Sequence, residues 1–371
     1  MNFLSIDIAL QPNLQIKGMY KQMPGYFESF QKSKHIRDEQ YKQLETYLAE
    51  KIEIAGEKRK HGFRPDFTTA EKYLKSICLY RERIKEIIGY PPPHTPVGPD
   101  CKEEFVGEDE LCAIYRLFIK VAEGLTCYGI YMLPKDKNGK VPLALALHGA
   151  GGCPEMICNF DGMGNYNDAS RKLVKQGYAV FSPLFSFRSY ADADETEIPK
   201  NMRAILDKKA KWLGTSLAAI ETFKLISALD YLIQKEEIDS NRIIAAGLSF
   251  GGFYALLISA IDERVKCCIS SCYFNDRVLI EEKHYDDFYD WIWKGSLTGF
   301  TDVELVALIC PRLCIIEVGK NDELFPVGGA RKVIDDARHF YTGLGMDENL
   351  KYYEFDGGHE FNLGFLSELK I

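Results

Sequence analysis

Between Val141 and Gly357 the chain alternates short apolar runs with longer stretches of helical periodicity, and this alternation constrains the fold more than any other feature. The apolar runs are PLALALHG, YAVFSPLF, RIIAAG, VKCCISS, RLCIIEVG and KYYEFDG. PLALALHG shows no polar alternation, as expected of a strand buried on both faces. Helices are predicted near 165–176, at 216–233, directly after Ser249 and near 327–343. Strands that alternate with helices imply a mostly parallel sheet with helices on both faces. Ahead of this region, AIYRLFIKV and LTCYGIYML alternate well enough to form an antiparallel pair. A polar stretch from 186 to about 206 reads as a loop, and the pattern breaks again over 273–300. The chain carries no internal repeat and no low-complexity tract.

Residues 1–98 have a different character, rich in Lys, Glu, Gln and Tyr. Helices are predicted at roughly 36–56 and 68–88. In the second, TTAEKYLKSICLYRERIKEIIG places apolar residues three and four apart, and Thr68 or Thr69 supplies a cap. Pro91-Pro92-Pro93 stops it, since proline lacks an N–H and clashes with the preceding turn. The expected organisation is a helical arm over 1–98 and a catalytic domain over 99–371 that carries an insertion at about 273–300. The arm is expected to pack on the main domain or to form a contact between copies of the chain in a homo-oligomer.

Charge and cysteine content narrow the partners. The net charge of −8 and the absence of a basic stretch argue against nucleic acid. The first residues, MNFLSIDIALQPNLQ, have neither a basic segment nor a sustained apolar one, so no secretion signal is expected. No apolar run is long enough to span a bilayer. The 11 cysteines are an odd number in a large chain, which fits reduced thiols and a cytoplasmic location. No pair of C-x-x-C motifs occurs, so neither a metal site nor a cofactor is expected.

In a sheet of this kind, functional residues gather on the loops that follow the strands. Ser249 sits in GLSFG, between RIIAAG and an apolar helix. A sharp strand–turn–helix would lift its hydroxyl above the sheet, with Gly247 and Gly251 letting the backbone pass closely on either side. A serine hydroxyl needs a neighbouring base. His359, in FDGGHEF after the last strand, is the histidine placed for that role. His35, His61 and His94 lie in the arm, His339 inside a helix and His284 in the insertion. Asp322, in EVGKNDELFP, could orient the imidazole, with Glu323 and then Asp356 as alternatives. HGAGG, starting at His148, offers backbone amides at Gly149 and Ala150 which, with that of Phe250, could hold an oxyanion. His148 itself reads as an anchor for that loop.

Taken together, HGAGG, GLSFGG, VGKNDELFP and GGHEF resemble the α/β-hydrolase superfamily, and within it the dienelactone hydrolase and acetyl xylan esterase-like branch. The resemblance covers about 110–371. It implies Ser249 as nucleophile, Asp322 as acid and His359 as base. Two departures stand out. Dienelactone hydrolases proper carry cysteine where this chain has Ser249, and glucuronoyl esterases carry arginine where it has Phe250. The arm is also no substitute for the propeller of prolyl-oligopeptidase-like enzymes.

The 273–300 insertion is rich in aromatic residues and is expected to overhang the site as a lid, with Tyr285, Trp291 and Trp293 as substrate contacts. The expected activity is hydrolysis of a small-molecule ester through an acyl-enzyme, by a carboxylesterase or a carbohydrate acetyl esterase. A lactonase, thioesterase or peptidase on the same triad is the alternative, and a non-catalytic binding protein of the same fold is a third reading.

Overall fold

The buried apolar runs become the centre of a nine-stranded sheet. The computed structural model describes residues 26, 28–98, 100–136, 138–160, 162, 164–185, 202–284, 290–364, 366 and 369. The strands are β1 (Cys101–Glu108), β2 (Cys112–Ala122), β3 (Leu125–Pro134), β4 (Val141–Leu147), β5 (Ala179–Pro183), β6 (Ile238–Leu248), β7 (Val265–Ser271), β8 (Leu313–Gly319) and β9 (Leu350–Phe355). Their order is β1-β2-β3-β5-β4-β6-β7-β8-β9. β1, β2 and β3 pair antiparallel, as does β3 with β5, and from β5 to β9 every neighbouring pair is parallel. The predicted antiparallel pair is β2 with β3. β1 leaves no period in the sequence because CKEEFVGE is a largely exposed edge strand without apolar alternation.

The helices are α1 (Lys34–Glu53), α2 (Ala55–Gly62), α3 (Ala70–Ile88), α4 (Pro154–Ile157), α5 (Ala169–Lys175), α6 (Met202–Trp212), α7 (Leu217–Leu232), α8 (Phe250–Ile261), α9 (Arg277–His284), α10 (Asp302–Ile309) and α11 (Val327–Thr342). Successive strand residues feed two separate cores. Leu143, Leu145, Ile243 and Ala245 pack with α3, α7, α8, α10 and α11 on one face. Ala144, Ala146, Ile244 and Ala246 pack with α4, α5 and the C-terminal Phe361 and Leu363 on the other. This two-residue alternation between faces is the geometry of a pleated strand. α10 has no exposed face, so its sequence DVELVALI carries no helical period to read. α9 shows that the insertion is not wholly irregular, and α6 takes up the end of the predicted 186–206 loop from Met202 onward.

The chain divides into two compact units, Met1–Glu53 and Ile54–Ile371. The first contains α1, a helix without a buried residue. The division thus falls after Glu53 and not at 98, for a physical reason visible on α3. Thr69 caps α3 by accepting from the Lys72 amide at 3.2 Å, and Gly89 ends it in the left-handed conformation. Tyr73, Ile77, Ile84 and Ile88 form its buried stripe. Burying side chains of this size contributes about 1.5–3 kcal/mol each. Within the same stripe, Arg81 donates to the carbonyls of Ala260 at 2.8 Å and Leu308 at 3.2 Å, at the C-terminal ends of α8 and α10. α3 is therefore a member of the helical layer over the sheet. Among the described residues, no helix is long and apolar enough to cross a membrane.

Candidate active site

β4 lies between β5 and β6, with the helices after β4 and β6 running to opposite faces, so the loops leaving β4 and β6 face each other at a switch point of the sheet. Leu147 pairs with Gly247, and Ser249 follows two residues later. Ser249 has φ 58° and ψ −120°, a backbone state that side chains rarely tolerate. The flanking glycines explain how it is held. A Cβ at Gly247 would lie 2.1 Å from the Gly251 carbonyl oxygen, and one at Gly251 would lie 2.0 Å from that of Leu147. Any other residue at either position would push the elbow off the sheet. The Ser249 amide donates to the Ser271 carbonyl at 2.8 Å, tying the turn to the end of β7. α8 begins at Phe250, so its positive end faces the serine.

Asp322 follows β8, the next strand but one from β6, and His359 follows β9, the strand beyond it. His359 Nδ1 is 2.9 Å from Asp322 Oδ2. The other carboxylate oxygen, Oδ1, accepts from the amides of Leu324 and Phe325, each at 2.9 Å. Burial pushes the Asp322 carboxyl up, but the His359 bond and these two amides outweigh it and hold the group below the usual carboxylate range. Asp322 is thus an ionised, fully engaged carboxylate, and the proton between it and His359 belongs on Nδ1. Glu323 is exposed, and exposed Asp356 accepts from Lys320 Nζ at 2.7 Å.

On the β4 side, the loop differs from expectation at one position. The Gly149 amide donates to the Tyr166 hydroxyl at 3.0 Å, so it is not available to an oxyanion. Ala150 and Phe250 remain as the candidate donors. His148 anchors the loop, as read. Its Nε2 accepts from the Phe185 amide at 3.1 Å, which leaves Nδ1 to donate to the Gly149 carbonyl at 2.9 Å. Burial pushes its imidazole down to about 4 from an ordinary 6.5. Between those values the unfolded chain binds a proton that the folded chain excludes, so stability falls as pH falls, by about 3 kcal/mol for this group. The urea midpoint of the native protein is therefore expected to drop more steeply from pH 7 to pH 4.5 than that of His148→Asn. Equal slopes would show that His148 is not held neutral.

The insertion aromatics lie inside the protein. Trp291 and Trp293 are only 2% and 5% exposed. Trp293 packs on Phe253 at 6.0 Å and lies beneath the Arg277 guanidinium at 5.0 Å, which makes it a structural residue instead of an open stacking face. Trp291 is nearer the chemistry. Its ring lies 6.3 Å from those of Phe250 and Phe325, and Phe325 stacks on His359 at 5.8 Å. Tyr285 lies outside the described residues.

A buried charge network pins the insertion beside the elbow. Arg203 of α6 bonds Asp290 through Nε at 3.2 Å, and Tyr254 of α8 donates to the same carboxylate. The Arg203 guanidinium covers the Phe250 ring at 4.7 Å. Glu221, 3.8 Å from Arg203, pairs with Lys224 at 2.9 Å and balances the cluster.

Several positioning residues left no mark in the sequence. Buried Glu317 of β8 accepts from the amides of Leu363 at 3.0 Å and Gly364 at 2.9 Å, fixing the segment beyond His359. Asn165 donates to the His359 carbonyl at 3.2 Å, and Asn167 to Glu360 at 2.7 Å. Cys272, just past β7, is buried beside Asp322; burial and that carboxylate push its thiol up to about 12, so it does not rival Ser249 as a nucleophile. Each of these residues acts across a separation of tens to nearly two hundred positions, which no local motif can display. A cavity of about 390 Å³ between α2 and the C-terminal half of α11, lined by Arg59, Phe63 and Phe340, contains none of these strand-end groups.

The chain resembles known proteins in sequence and in fold. Residues 131–283 match the Dienelactone hydrolase family. The chain is similar to YtaP of Bacillus subtilis (strain 168), whose name as a hydrolase is itself provisional, with 26% identity over 75% of this chain and 92% of that one. Among solved structures it is similar to a Bacteroides fragilis protein provisionally described as an acetyl xylan esterase, with a TM-score of 0.60, 17% identity and coverage of 80% of this chain and 78% of that one. It is likewise similar to the glucuronoyl esterase from Solibacter usitatus, with a TM-score of 0.56, 15% identity and coverage of 80% and 91%.

Proposed function

We propose that this chain is a serine esterase of the dienelactone hydrolase and acetyl xylan esterase-like branch that cleaves small acyl esters, carbohydrate acetyl esters foremost. The observation that carries this reading is the 2.9 Å His359–Asp322 pair at the ends of β9 and β8, with strained Ser249 at the end of β6 of the same sheet.

The chemistry follows from those positions. Ser249 Oγ attacks the ester carbonyl and passes its proton to His359 Nε2. Asp322 holds the imidazole in the tautomer that leaves Nε2 open, and stabilises the imidazolium. The oxyanion takes the amides of Phe250 and Ala150, the first of them at the N-terminus of α8. His359 then protonates the leaving alcohol, and a water activated by the same nitrogen releases the acyl group from Ser249. The ring cluster of Phe250, Trp291 and Phe325, which meets His359 through Phe325, would favour a short neutral acyl group beside the base. The charge of Arg203 is engaged by Asp290, so it does not mark the pocket for an anionic substrate.

The test is a comparison of an acetylated xylo-oligosaccharide, a uronate methyl ester, a lactone, a thioester and a peptide. The acetyl ester is expected to have the highest kcat/KM, and a serine-directed phosphonate should label Ser249. A preference for the thioester or peptide would move the substrate class, and failure of both labelling and ester cleavage would remove the esterase reading.

A further inference from the structure

The ends of β7, β8 and β9 bring together three groups that the esterase chemistry does not need as a set. The Cys272 sulfur, an Asp322 carboxylate oxygen and a His359 ring nitrogen lie within 4.8 Å of one another. Nδ1 is the nitrogen on that side, since it faces Asp322 Oδ2. We propose that Cys272, Asp322 and His359 form a binding site for one soft divalent cation, Zn²⁺ or Cd²⁺. Given the proposed role of His359 as base, occupancy of this site stops turnover.

The donor set and its support argue for this. A thiolate, a carboxylate and an imidazole are the ligand types zinc prefers, at about 2.0–2.3 Å each. A tetrahedral centre with such bonds spaces its ligands about 3–4 Å apart, so a movement of about 1 Å closes the set. All three groups stand on backbone that is held from behind. Cys272, itself at φ 50°, donates its amide to the Glu317 carbonyl at 2.8 Å, and Asp322 donates its amide to Gly319 at 3.2 Å. The Cys272 sulfur lies 3.3 Å from the Glu360 carbonyl oxygen and 3.6 Å from that of Gly358, the two residues flanking His359. Cys272 and Asp322 are buried, where a net charge is costly. One thiolate and one carboxylate neutralise a divalent cation completely, so the filled site carries no net charge.

Binding also accounts for every proton. The Cys272 thiol proton leaves to solvent as the sulfur takes the metal. Nδ1 of His359 gives up its proton to bind, and Nε2 acquires one, so the imidazole stays neutral in the opposite tautomer. Nε2 then carries hydrogen and cannot accept from Ser249. A water completes the coordination.

The experiment uses the full chain after treatment with a chelator, and refers each protein's rate to its own metal-free rate. Zinc at about ten times its Kd is expected to lower kcat about tenfold, with KM little changed and full recovery on adding EDTA. Titration with Cd²⁺ should produce an ultraviolet thiolate-to-cadmium charge-transfer band that saturates at one ion per chain. Ser249→Ala should keep that band, whereas Cys272→Ser and Cys272→Ala should lose it together with zinc inhibition. The proposal is overturned if wild type forms no band, or if Cys272→Ser keeps both the band and the inhibition. A Cys272-dependent band without any effect on hydrolysis would uphold the cation site and overturn His359 as base.

Discussion

Ser249→Ala is expected to lower kcat for an activated ester by roughly 10⁶, with folding intact. The alanine retains the Cβ and loses only the nucleophilic oxygen. The strained φ of 58° is imposed by the close approach of Gly247 and Gly251 to their neighbours, not by the hydroxyl, so the elbow should persist. His359→Ala should cost about as much. The double variant should be little worse than either, because one proton transfer is lost in all three proteins. The measurement is steady-state turnover together with trapping of an acyl-enzyme at the modified serine. A Ser249→Ala protein that keeps most of its rate would remove Ser249 from the chemistry, whatever the geometry of its neighbours.

Asp322→Asn should cost about 10⁴ in turnover. The reason lies in how the two carboxylate oxygens are used. Oδ1 accepts the Leu324 and Phe325 amides, so an asparagine keeps its carbonyl oxygen there. Its NH₂ then faces His359 in place of Oδ2. A donor at that position requires Nδ1 to accept, which places the imidazole proton on Nε2, where it blocks transfer from Ser249. Substrate binding should change little. Glu323→Gln alters an exposed side chain and should be mild. Both variants are to be compared at matched thermal stability on one ester. A reversal of the two effects would make Glu323 the orienting acid, and two mild effects would place the acid elsewhere.

The mostly parallel sheet was legible because each central strand is buried on both faces, and continuous burial leaves a continuous apolar run such as LALAL or IIAAG. The elbow was legible because its steric constraint is local. Gly247, Ser249 and Gly251 lie within five residues, and the backbone closes on itself there. The choice of Asp322 over Glu323 and Asp356 was open in the sequence and was narrowed by burial and by the Lys320–Asp356 contact. β1 and α10 were hidden for opposite reasons, one too exposed and the other too buried to show a period.

By itself, then, the sequence determined the alternation, the elbow and the strand-end positions of Ser249, Asp322 and His359, because these depend on neighbours a few residues apart. Only the tertiary structure decided which side chains share a site. It joined α3 to the sheet-bearing unit through Arg81, gave the Gly149 amide to Tyr166, and buried Trp293 under Arg277. It likewise brought Cys272 to Asp322 and His359 across intervals of 50 and 87 residues. Strand order sets which loops become neighbours, and strand order comes from the packing of whole helices and sheets. Contacts of that kind are formed by residues distant in the chain, so no short window of sequence contains them.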